Sequence, residues 1–322
     1  MKRAKISALL ALGLLLGAFG GTAFASATKP LEVKLTRPFV QQISNVIYAQ
    51  VEDRGYLLKP LAMDIIVPRD KTIHPAILYI NGGGFINANK DGYLQQRLDL
   101  AERGYVVASM TYRVAPTSTF PAALEDVKAA LRFLRHNAEK LGIDKSRIGV
   151  IGGSAGGYLA AMAGCTSGVE GFDKGDFLDE SSDVQAVVDL YGISDITAIG
   201  ADYSRENQAL HRSAGATEAL WVNGSPVFGG KDGGILADPE KARLATPQTY
   251  ISAKTPPFLL MHGDSDFIVS PSQTEILRKA LAAHNIEAER YLVKGAGHGG
   301  REWVQEEIVG LIIDFFDRHL KN

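Results

Sequence analysis

The segment Gly152-Gly153-Ser154-Ala155-Gly156 constrains the fold of this chain more than any other sequence feature. Residues 147–151 before it are typical of a β-strand, and residues 157–162 after it are typical of a helix. In that setting a G-x-S-x-G turn presents its serine at the carboxyl end of the strand, because glycines allow a bend that a Cβ would block. The pattern predicts Ser154 as a nucleophile, with an ordinary glycine loop as the alternative.

Apolar runs alternate with helical patterns along the rest of the chain. Six short runs predict strands, at residues 62–67, 76–80, 105–110, 148–151, 186–190 and 258–261. Apolar residues three and four positions apart from Val127 to Leu141 predict a helix that ends at Gly142. The alternation predicts an α/β fold, with a mostly parallel central sheet and helices on both faces.

Two more helices are predicted towards the C-terminus. Ser270-Pro271 followed by Gln273 has the pattern of a capping box with proline at the first helical position, so a helix is expected to begin there. Residues 304–315 carry the apolar face of a terminal helix.

Residues 1–25 have the pattern of a secretory signal peptide. Lys2, Arg3 and Lys5 form a basic start, an apolar stretch follows, and small residues precede Ser26. We therefore expect a mature catalytic domain of residues 26–322 that is exported, periplasmic or secreted, with no stable membrane insertion after cleavage. An uncleaved membrane anchor is the competing interpretation.

Charge, cysteine content and acidic residues bear on three possible properties of this chain: nucleic-acid binding, a reactive thiol and a metal site. Cleavage removes three positive charges and no negative ones, so the formal net charge changes from −2 to −5 and gives no support for nucleic-acid binding. Cys165 is the single cysteine; it is expected to be a buried apolar residue. The acidic run from Asp173 to Asp183 lacks the spacing of a calcium loop, so we interpret it as solvated and predict no metal site.

Residues 196–247 break the alternation and are interpreted as a small cap-like insertion. The stretch has no strong periodicity, and Tyr203, Trp221 and Phe228 are scattered through it. If it folds over Ser154, these aromatic side chains line the substrate pocket. Otherwise they hold the insertion on the sheet.

Two residue types follow Ser154 in the order that a catalytic triad requires. Asp266 comes shortly after the strand predicted at 258–261, and the glycine-flanked His298 follows the apolar residues 290–293. A serine hydroxyl attacks only when an imidazole accepts its proton, and a carboxylate must fix the tautomer of that imidazole. The sequence predicts Ser154, His298 and Asp266 as nucleophile, base and acid.

Each partner has one rival nearby. Asp264 is the alternative acid. His262 is the rival histidine, and we interpret it as structural because it directly precedes the loop that bears the acid.

The glycine run in Asn81–Phe85 directly follows a predicted strand. Attack on an ester carbonyl places negative charge on oxygen, and backbone amides can stabilise that charge where no side chain intervenes. The amides of Gly83, Gly84 and Ala155 are the predicted oxyanion hole, with Gly82 as an alternative to one of them. A phosphate-binding loop is not supported, because no Walker or dinucleotide motif surrounds these glycines.

Six segments in order resemble the α/β-hydrolases of the hormone-sensitive-lipase and BD-FAE (feruloyl/acetylxylan esterase) group. They are Asn81–Phe85, Tyr112-Arg113, Phe120–Ala123, Gly152–Gly157, His262–Val269 and Gly295–Gly300. The resemblance runs from about Leu61 to the C-terminus. It implies an α/β-hydrolase fold, a Ser154-His298-Asp266 triad and a carboxylic ester hydrolase that needs no cofactor. The family's usual H-G-G-G is N-G-G-G here, so the anchoring of that loop is expected to differ.

The expected substrates are small or cell-wall-derived esters with acetyl, other short-acyl or hydroxycinnamoyl groups. Phe85 and Trp221 are predicted to contact them. A peptidase of the prolyl-oligopeptidase type is one alternative, although it usually adds a propeller domain for which this chain has no room. A non-catalytic binding protein on the same scaffold is the other, and the presence of all three triad residues argues against it.

Overall fold

An eight-stranded sheet organises the described part of the chain, residues 28–321 of this computed structural model. Along the chain the strands are β1 (Val40–Asp53), β2 (Tyr56–Pro68), β3 (His74–Ile80), β4 (Val106–Met110), β5 (Ile143–Gly153), β6 (Ala186–Leu190), β7 (Phe258–Gly263) and β8 (Ala288–Val293). Their order across the sheet is β1-β2-β4-β3-β5-β6-β7-β8. The β1-β2 and β2-β4 pairs are antiparallel and the other five pairs are parallel. The predicted mostly parallel sheet is confirmed.

Helices cover both faces of the sheet, as predicted. They are α1 (Leu94–Glu102), α2 (Ala122–His136), α3 (Ala138–Leu141), α4 (Ala155–Cys165), α5 (Arg205–His211), α6 (Thr217–Asn223), α7 (Pro239–Leu244), α8 (Ser272–Ala283) and α9 (Glu306–Leu320). In β3, Ile77 belongs to the apolar cluster that contains α1 and α9, whereas its neighbour Leu78 belongs to the cluster of α2, α4 and α8. Consecutive strand residues thus face opposite layers. Within residues 28–321, every helix is too short or too polar to cross a bilayer.

The parallel register brings the carboxyl ends of the strands to one edge. Ile80 at the end of β3 is level with Gly152 in β5, and Gly153 is level with Leu190 at the end of β6. The loop after β3, the turn after β5 and the loop after β6 are therefore neighbours, which is where ligand sites form in open α/β sheets.

Residues 28–36 contain no helix or strand and are exposed. The chain from Arg37 onwards forms one compact unit. The predicted signal peptide and its cleavage site lie outside the described residues.

The segment 196–247 contains α5, α6, α7 and two short 3-10 turns between β6 and β7. Trp221 in α6 is fully buried, and its indole packs edge-on against Phe120 with ring centroids 6.2 Å apart. The backbone of Phe120 also binds this segment, because its amide donates a hydrogen bond to the carbonyl oxygen of Trp221 at 2.8 Å. These contacts hold the segment against the helical layer that contains α2 and α4.

The acidic run is tied to α2 by three buried cations, which the sequence interpretation missed. Carboxylates such as Asp176 and Asp179 are exposed, as a solvated loop requires. Its backbone is fixed, however, by Lys128, Arg132 and Arg135, which occupy one face of α2. Lys128 donates to Thr166 O and Ser182 Oγ. Arg132 donates to Asp173 Oδ1 and Asp176 O. Arg135 donates to Ser181 O and Asp183 O.

The predicted capping box at α8 is wrong. The helix begins at Ser272 and receives no side-chain cap. Instead, Oε1 of Gln273 accepts hydrogen bonds from the amides of Ser194 and Asp195 at 2.9 and 2.8 Å. Gln273 therefore joins α8 to the loop that follows β6, a tertiary role that local pattern cannot reveal.

Candidate active site

Ser154 occupies a strained turn between β5 and α4. Its backbone has φ 58° and ψ −124°, a region that residues with a Cβ rarely adopt. A Cβ on Gly152 would lie 2.2 Å from the carbonyl oxygen of Gly156, and one on Gly156 would lie 2.0 Å from that of Ile80. The two glycines of the sequence motif are thus required by close backbone contacts, which accounts for the serine's position at the strand end.

A continuous hydrogen-bond chain joins Ser154 to His298 and Asp266. Oγ of Ser154 lies 2.7 Å from Nε2 of His298, and Nδ1 of His298 lies 2.7 Å from Oδ2 of Asp266. The ring of Tyr191 meets His298 edge-on, with centroids 5.0 Å apart. Three loops, after β5, β7 and β8, thus bring together the three residues that the sequence predicted as a triad.

Asp266 carries a fully buried carboxylate with four N–H groups within 3.2 Å of its oxygens. Oδ1 accepts the amides of Ile268 and Val269 at 2.9 and 3.0 Å. Oδ2 faces His298 at 2.7 Å and His262 Nε2 at 3.2 Å. Burial alone favours the neutral acid, but the hydrogen bonds from His262 and His298 outweigh it and hold the pKa of Asp266 well below its usual range.

The two rival residues have different positions. Asp264 is exposed and its Oδ1 accepts the hydroxyl of Ser265 and the amide of Gly295, so it fixes a turn and does not contact His298. His262 is fully buried and reaches Asp266 rather than Ser154. The geometry therefore favours Asp266 as the triad acid.

The glycine loop after β3 packs directly on the nucleophile turn. A Cβ on Gly82 would lie 2.5 Å from the carbonyl oxygen of Gly153 and 2.9 Å from Cβ of Ser154. A Cβ on Gly83 would lie 2.1 Å from the carbonyl oxygen of Asn87. Side chains are thus excluded from the space beside Ser154, and backbone approaches it instead.

Each predicted oxyanion-hole residue lies next to the serine or in this loop. Gly83 and Gly84 line the same cavity as Ser154, and Ala155 opens α4, where the first amides have no acceptor within the helix. Asn81 anchors the loop through its side chain, since its Nδ2 donates to Ser109 Oγ at 3.0 Å.

The cavity beside Ser154 has a volume of about 800 Å³ and is open to solvent. Beyond the triad and the glycine loop, its walls include Tyr93, Gln95, Tyr191, Ile268, Arg301 and Val304. None of the described residues 196–247 lines it. The segment touches the site from behind instead, where the hydroxyl of Tyr203 donates to the backbone oxygen of Asp266 at 3.1 Å.

Phe85 and Trp221, predicted to contact the substrate, lie in the hydrophobic core instead. Their exposed fractions are 3% and 1%, and neither lines the cavity. The two rings stack on each other with centroids 5.5 Å apart and an interplanar angle of 3°. They bind the insertion to the glycine loop and leave no surface for a ligand, which corrects the sequence prediction.

Two tyrosines that the sequence interpretation missed take their place. Tyr93 and Tyr191 line the cavity, their hydroxyl oxygens are 2.6 Å apart, and both have positive φ, 50° and 44°. Tyr191 directly follows β6, the neighbour of the nucleophile strand, and that position was a usable signal. Tyr93 lies in a loop that carries no such signal.

Other reactive groups stay away from the site. Cys165 is fully buried, and burial raises the pKa of its thiol well above the usual value, so it is no second nucleophile. Among residues 28–321, His, Cys, Asp and Glu form no group of three or more that could hold a metal ion.

A model of one protein family, BD-FAE, matches residues 63–281, which is more than half of the chain. The chain belongs to the BD-FAE family. The matched region includes Ser154 and Asp266 and ends before His298. The resemblance drawn from the sequence motifs is confirmed.

Curated relatives of this BD-FAE chain include named esterases. It is 34% identical to esterase LipC of Mycobacterium tuberculosis over 230 residues, which cover 70% of this chain and 53% of LipC. It is 26% identical to isoprenylcysteine alpha-carbonyl methylesterase ICME of Arabidopsis thaliana over 306 residues, 90% of this chain and 67% of ICME. The chain spans about half the length of LipC, LipM and LipQ, the mycobacterial relatives it matches.

Solved structures share the architecture of this BD-FAE chain. A truncated carbohydrate esterase from gut microbiota is 28% identical, with a TM-score of 0.75, covering 88% of this chain and 97% of that one. Esterase Est2 of Thermogutta terrifontis, at 22% identity and a TM-score of 0.65, covers 87% and 92% and shows likeness of fold alone. Together with the sheet order, these matches confirm the α/β-hydrolase fold.

Proposed function

We propose that this chain is an exported serine hydrolase of carboxylic esters. The observation that carries the proposal is the hydrogen-bond chain from Ser154 through His298 to Asp266, with both links at 2.7 Å. Nucleophile, base and orienting acid within hydrogen-bond distance are the arrangement that acyl transfer uses. Esterases among its relatives and fold neighbours agree with this chemistry.

In the acylation step, Oγ of Ser154 attacks the ester carbonyl carbon while Nε2 of His298 takes its proton. The carbonyl oxygen becomes an oxyanion, which the amides of Gly83, Gly84 and Ala155 stabilise by donating hydrogen bonds. Asp266 stabilises the imidazolium that forms. As the intermediate collapses, the bond to the alcohol oxygen breaks, and His298 returns the proton to that leaving oxygen.

Deacylation repeats these roles with water. His298 removes a proton from a water molecule, whose oxygen attacks the acyl carbon and forms a second oxyanion. Collapse breaks the bond to Ser154 Oγ, which regains its proton from His298, and the carboxylic acid leaves. The open cavity gives water direct access to this step.

For the substrate class, we propose short acyl or hydroxycinnamoyl esters of carbohydrate or other polar alcohols. Gln95 and Arg301 supply polar groups for an alcohol, and the rings of Tyr93 and Tyr191 supply flat apolar surface beside the triad. The gut-microbiota structure named as a carbohydrate esterase supports this choice. We expect acyl chains of about two to four carbons to be preferred over twelve, because an open, partly polar cavity buries few methylenes.

The test compares Ser154→Ala with Ser265→Ala on p-nitrophenyl acyl esters, methyl ferulate and acetylated xylan. Ser265 is a matched control, since its hydroxyl bonds only Asp264 near the triad. We expect kcat to fall by several powers of ten in Ser154→Ala alone. Equal ester turnover by the two variants would refute the serine mechanism. Cleavage of prolyl peptides with no ester turnover in the wild-type protein would favour the peptidase alternative, and binding without turnover the non-catalytic one.

A further inference from the structure

His262 lies at the end of β7 and contacts the triad acid Asp266. Its ring is fully buried. Nε2 lies 3.2 Å from Oδ2 of Asp266 and 3.0 Å from the backbone oxygen of Val269. Both neighbours only accept hydrogen bonds when Asp266 is ionised, so Nε2 must carry the proton.

The other ring nitrogen of His262 meets a hydroxyl that is already oriented. Nδ1 lies 3.3 Å from Oγ1 of Thr274, and that oxygen accepts the Nε–H of Arg290 at 3.0 Å. The hydroxyl proton of Thr274 can then be donated either to Nδ1 of His262 or to the backbone oxygen of Pro271, which lies 3.4 Å away. The neutral Nε2–H tautomer satisfies every one of these contacts.

We propose that His262 is a positioning residue for the reaction: its Nε2–H holds Oδ2 of Asp266 and shares that oxygen with His298. This inference rests on the proposed function. Oδ1 of Asp266 is already held by the amides of Ile268 and Val269. With His262 in place, each carboxylate oxygen has two N–H groups within 3.2 Å, although the Nε2–H of His262 is divided between Oδ2 and the backbone oxygen of Val269. This arrangement opposes rotation of the carboxylate away from His298.

Sharing Oδ2 also moderates the support that Asp266 gives to His298. A hydrogen bond from His262 draws negative charge away from the contact with His298, so the imidazolium of His298 is stabilised less than by an unshared carboxylate. Loss of the donor at position 262 should make the base harder to deprotonate. The acid limb of the kcat/KM profile then moves to higher pH.

The matched variants are His262→Gln and His262→Met. Glutamine can place an N–H donor near the position of the lost Nε2, whereas methionine fills similar space without a donor. We expect His262→Met to lower kcat about tenfold and to move the acid limb up by about one pH unit. His262→Gln should stay near the wild-type protein in both. Equal effects of both variants, or an unmoved acid limb in His262→Met, would overturn the proposal.

Other charged or titratable groups around the cluster remain the same in both variants. They are Tyr191, Asp202, Tyr203, Asp264, Glu275 and Arg290. A difference between the two variants therefore reports the donor at position 262.

A measurement on the wild-type protein covers the case in which His262→Met does not fold. Nitrogen-15 NMR of the imidazoles should show a proton on Nε2 of His262 while Asp266 is ionised, because both oxygens that Nε2 faces are acceptors. A proton on Nδ1 with none on Nε2 would contradict the proposal. Absence of ester turnover in the wild-type protein refutes the proposed function instead, and the tautomer measurement does not depend on it.

Discussion

Two buried carboxylates show how local donors decide the charge of a residue. Asp266 has four N–H groups within 3.2 Å of its oxygens, and its pKa is held well below the usual range. Asp189 in β6 is equally buried, but it accepts one hydrogen bond, from the amide of Gly192 at 2.8 Å, and burial raises its pKa to about 7. Its Oδ2 has no partner within the described residues. The environment of Asp266 thus favours the ionised carboxylate, whereas that of Asp189 favours the protonated acid.

The assignment of the triad acid can be tested with two matched variants. Asp266→Asn should lower kcat by about 10⁴-fold, because an amide cannot stabilise the imidazolium and favours the wrong tautomer of His298. Asp264→Asn should change kcat little, since that carboxylate only bonds Ser265 and Gly295. Steady-state kinetics on a p-nitrophenyl ester measures both, and the opposite ranking would assign the role to Asp264.

Asp189 predicts a pH dependence of stability with a definite sign. Its pKa is about 7 in the folded protein and about 3.9 in an unfolded chain, so between these values only the unfolded state has released the proton. The protonated side chain therefore contributes up to about 4 kcal/mol to the free energy of unfolding. This contribution is fully present below about pH 4 and is lost as the pH rises to about 7.

Asp189→Asn should remove that dependence, because an amide does not titrate. Relative to the wild-type protein, the variant should gain stability between about pH 4 and about pH 8 in urea unfolding. Parallel stability curves for the two proteins across this range would show that Asp189 is already ionised when folded.

At the residue scale, motif geometry made most of the site predictable. Gly152 and Gly156 around Ser154 are required by close backbone contacts, and Gly299 after His298 has a positive φ, so both turns leave a sequence signature. The sequence prediction placed Phe85 and Trp221 in the substrate pocket because the sequence around an aromatic residue does not indicate whether its side chain faces a cavity or the core. Tyr93 was missed because a loop residue has no periodicity to mark its direction.

At the scale of elements, buried strands were predictable and the exposed edge strand was not. Strands β3 to β7 are fully or largely buried apolar runs, and the sequence located each of them. β1 pairs with β2 along one side only and exposes most of its residues, including a polar run from Gln41 to Asn45. Its sequence therefore lacks the apolar pattern on which strand prediction depends.

The link between α2 and the acidic run predicts a large effect of one buried cation. Arg132→Leu should lower stability by about 3 kcal/mol, because it leaves carbonyl groups such as that of Asp176 without a donor and removes the ion pair between the buried guanidinium and Asp173. Thermal unfolding and limited proteolysis should show a lower Tm and cleavage within residues 173–183.

Arg243→Leu provides the comparison. Its ion pair with Glu240 spans one helical turn at the surface, with both side chains more than half exposed. Such pairs contribute about 0.5 kcal/mol. If the two variants had the same Tm, the α2 cations would not be what holds the acidic run.

On the scale of the whole molecule, the proposed export is a property that the fold does not test. We expect the protein purified from its native host to begin at Ser26, because cleavage after Ala25 would remove the basic and apolar start. Intact-mass spectrometry reads the mature terminus directly. A mass that retains residues 2–24 would indicate a membrane anchor or retention inside the cell.

The strand order also sets when activity can appear during synthesis. Ser154 follows β5, but its base follows β8, the last strand in the chain and one of the two edge strands of the sheet. A nascent chain that has completed the nucleophile turn has no imidazole beside it until β8 pairs with β7 and delivers His298. If the protein is the proposed esterase, a chain without β8 should therefore have no ester turnover. In a refolding time course, the first ester turnover should then coincide with the pairing of β8 with β7.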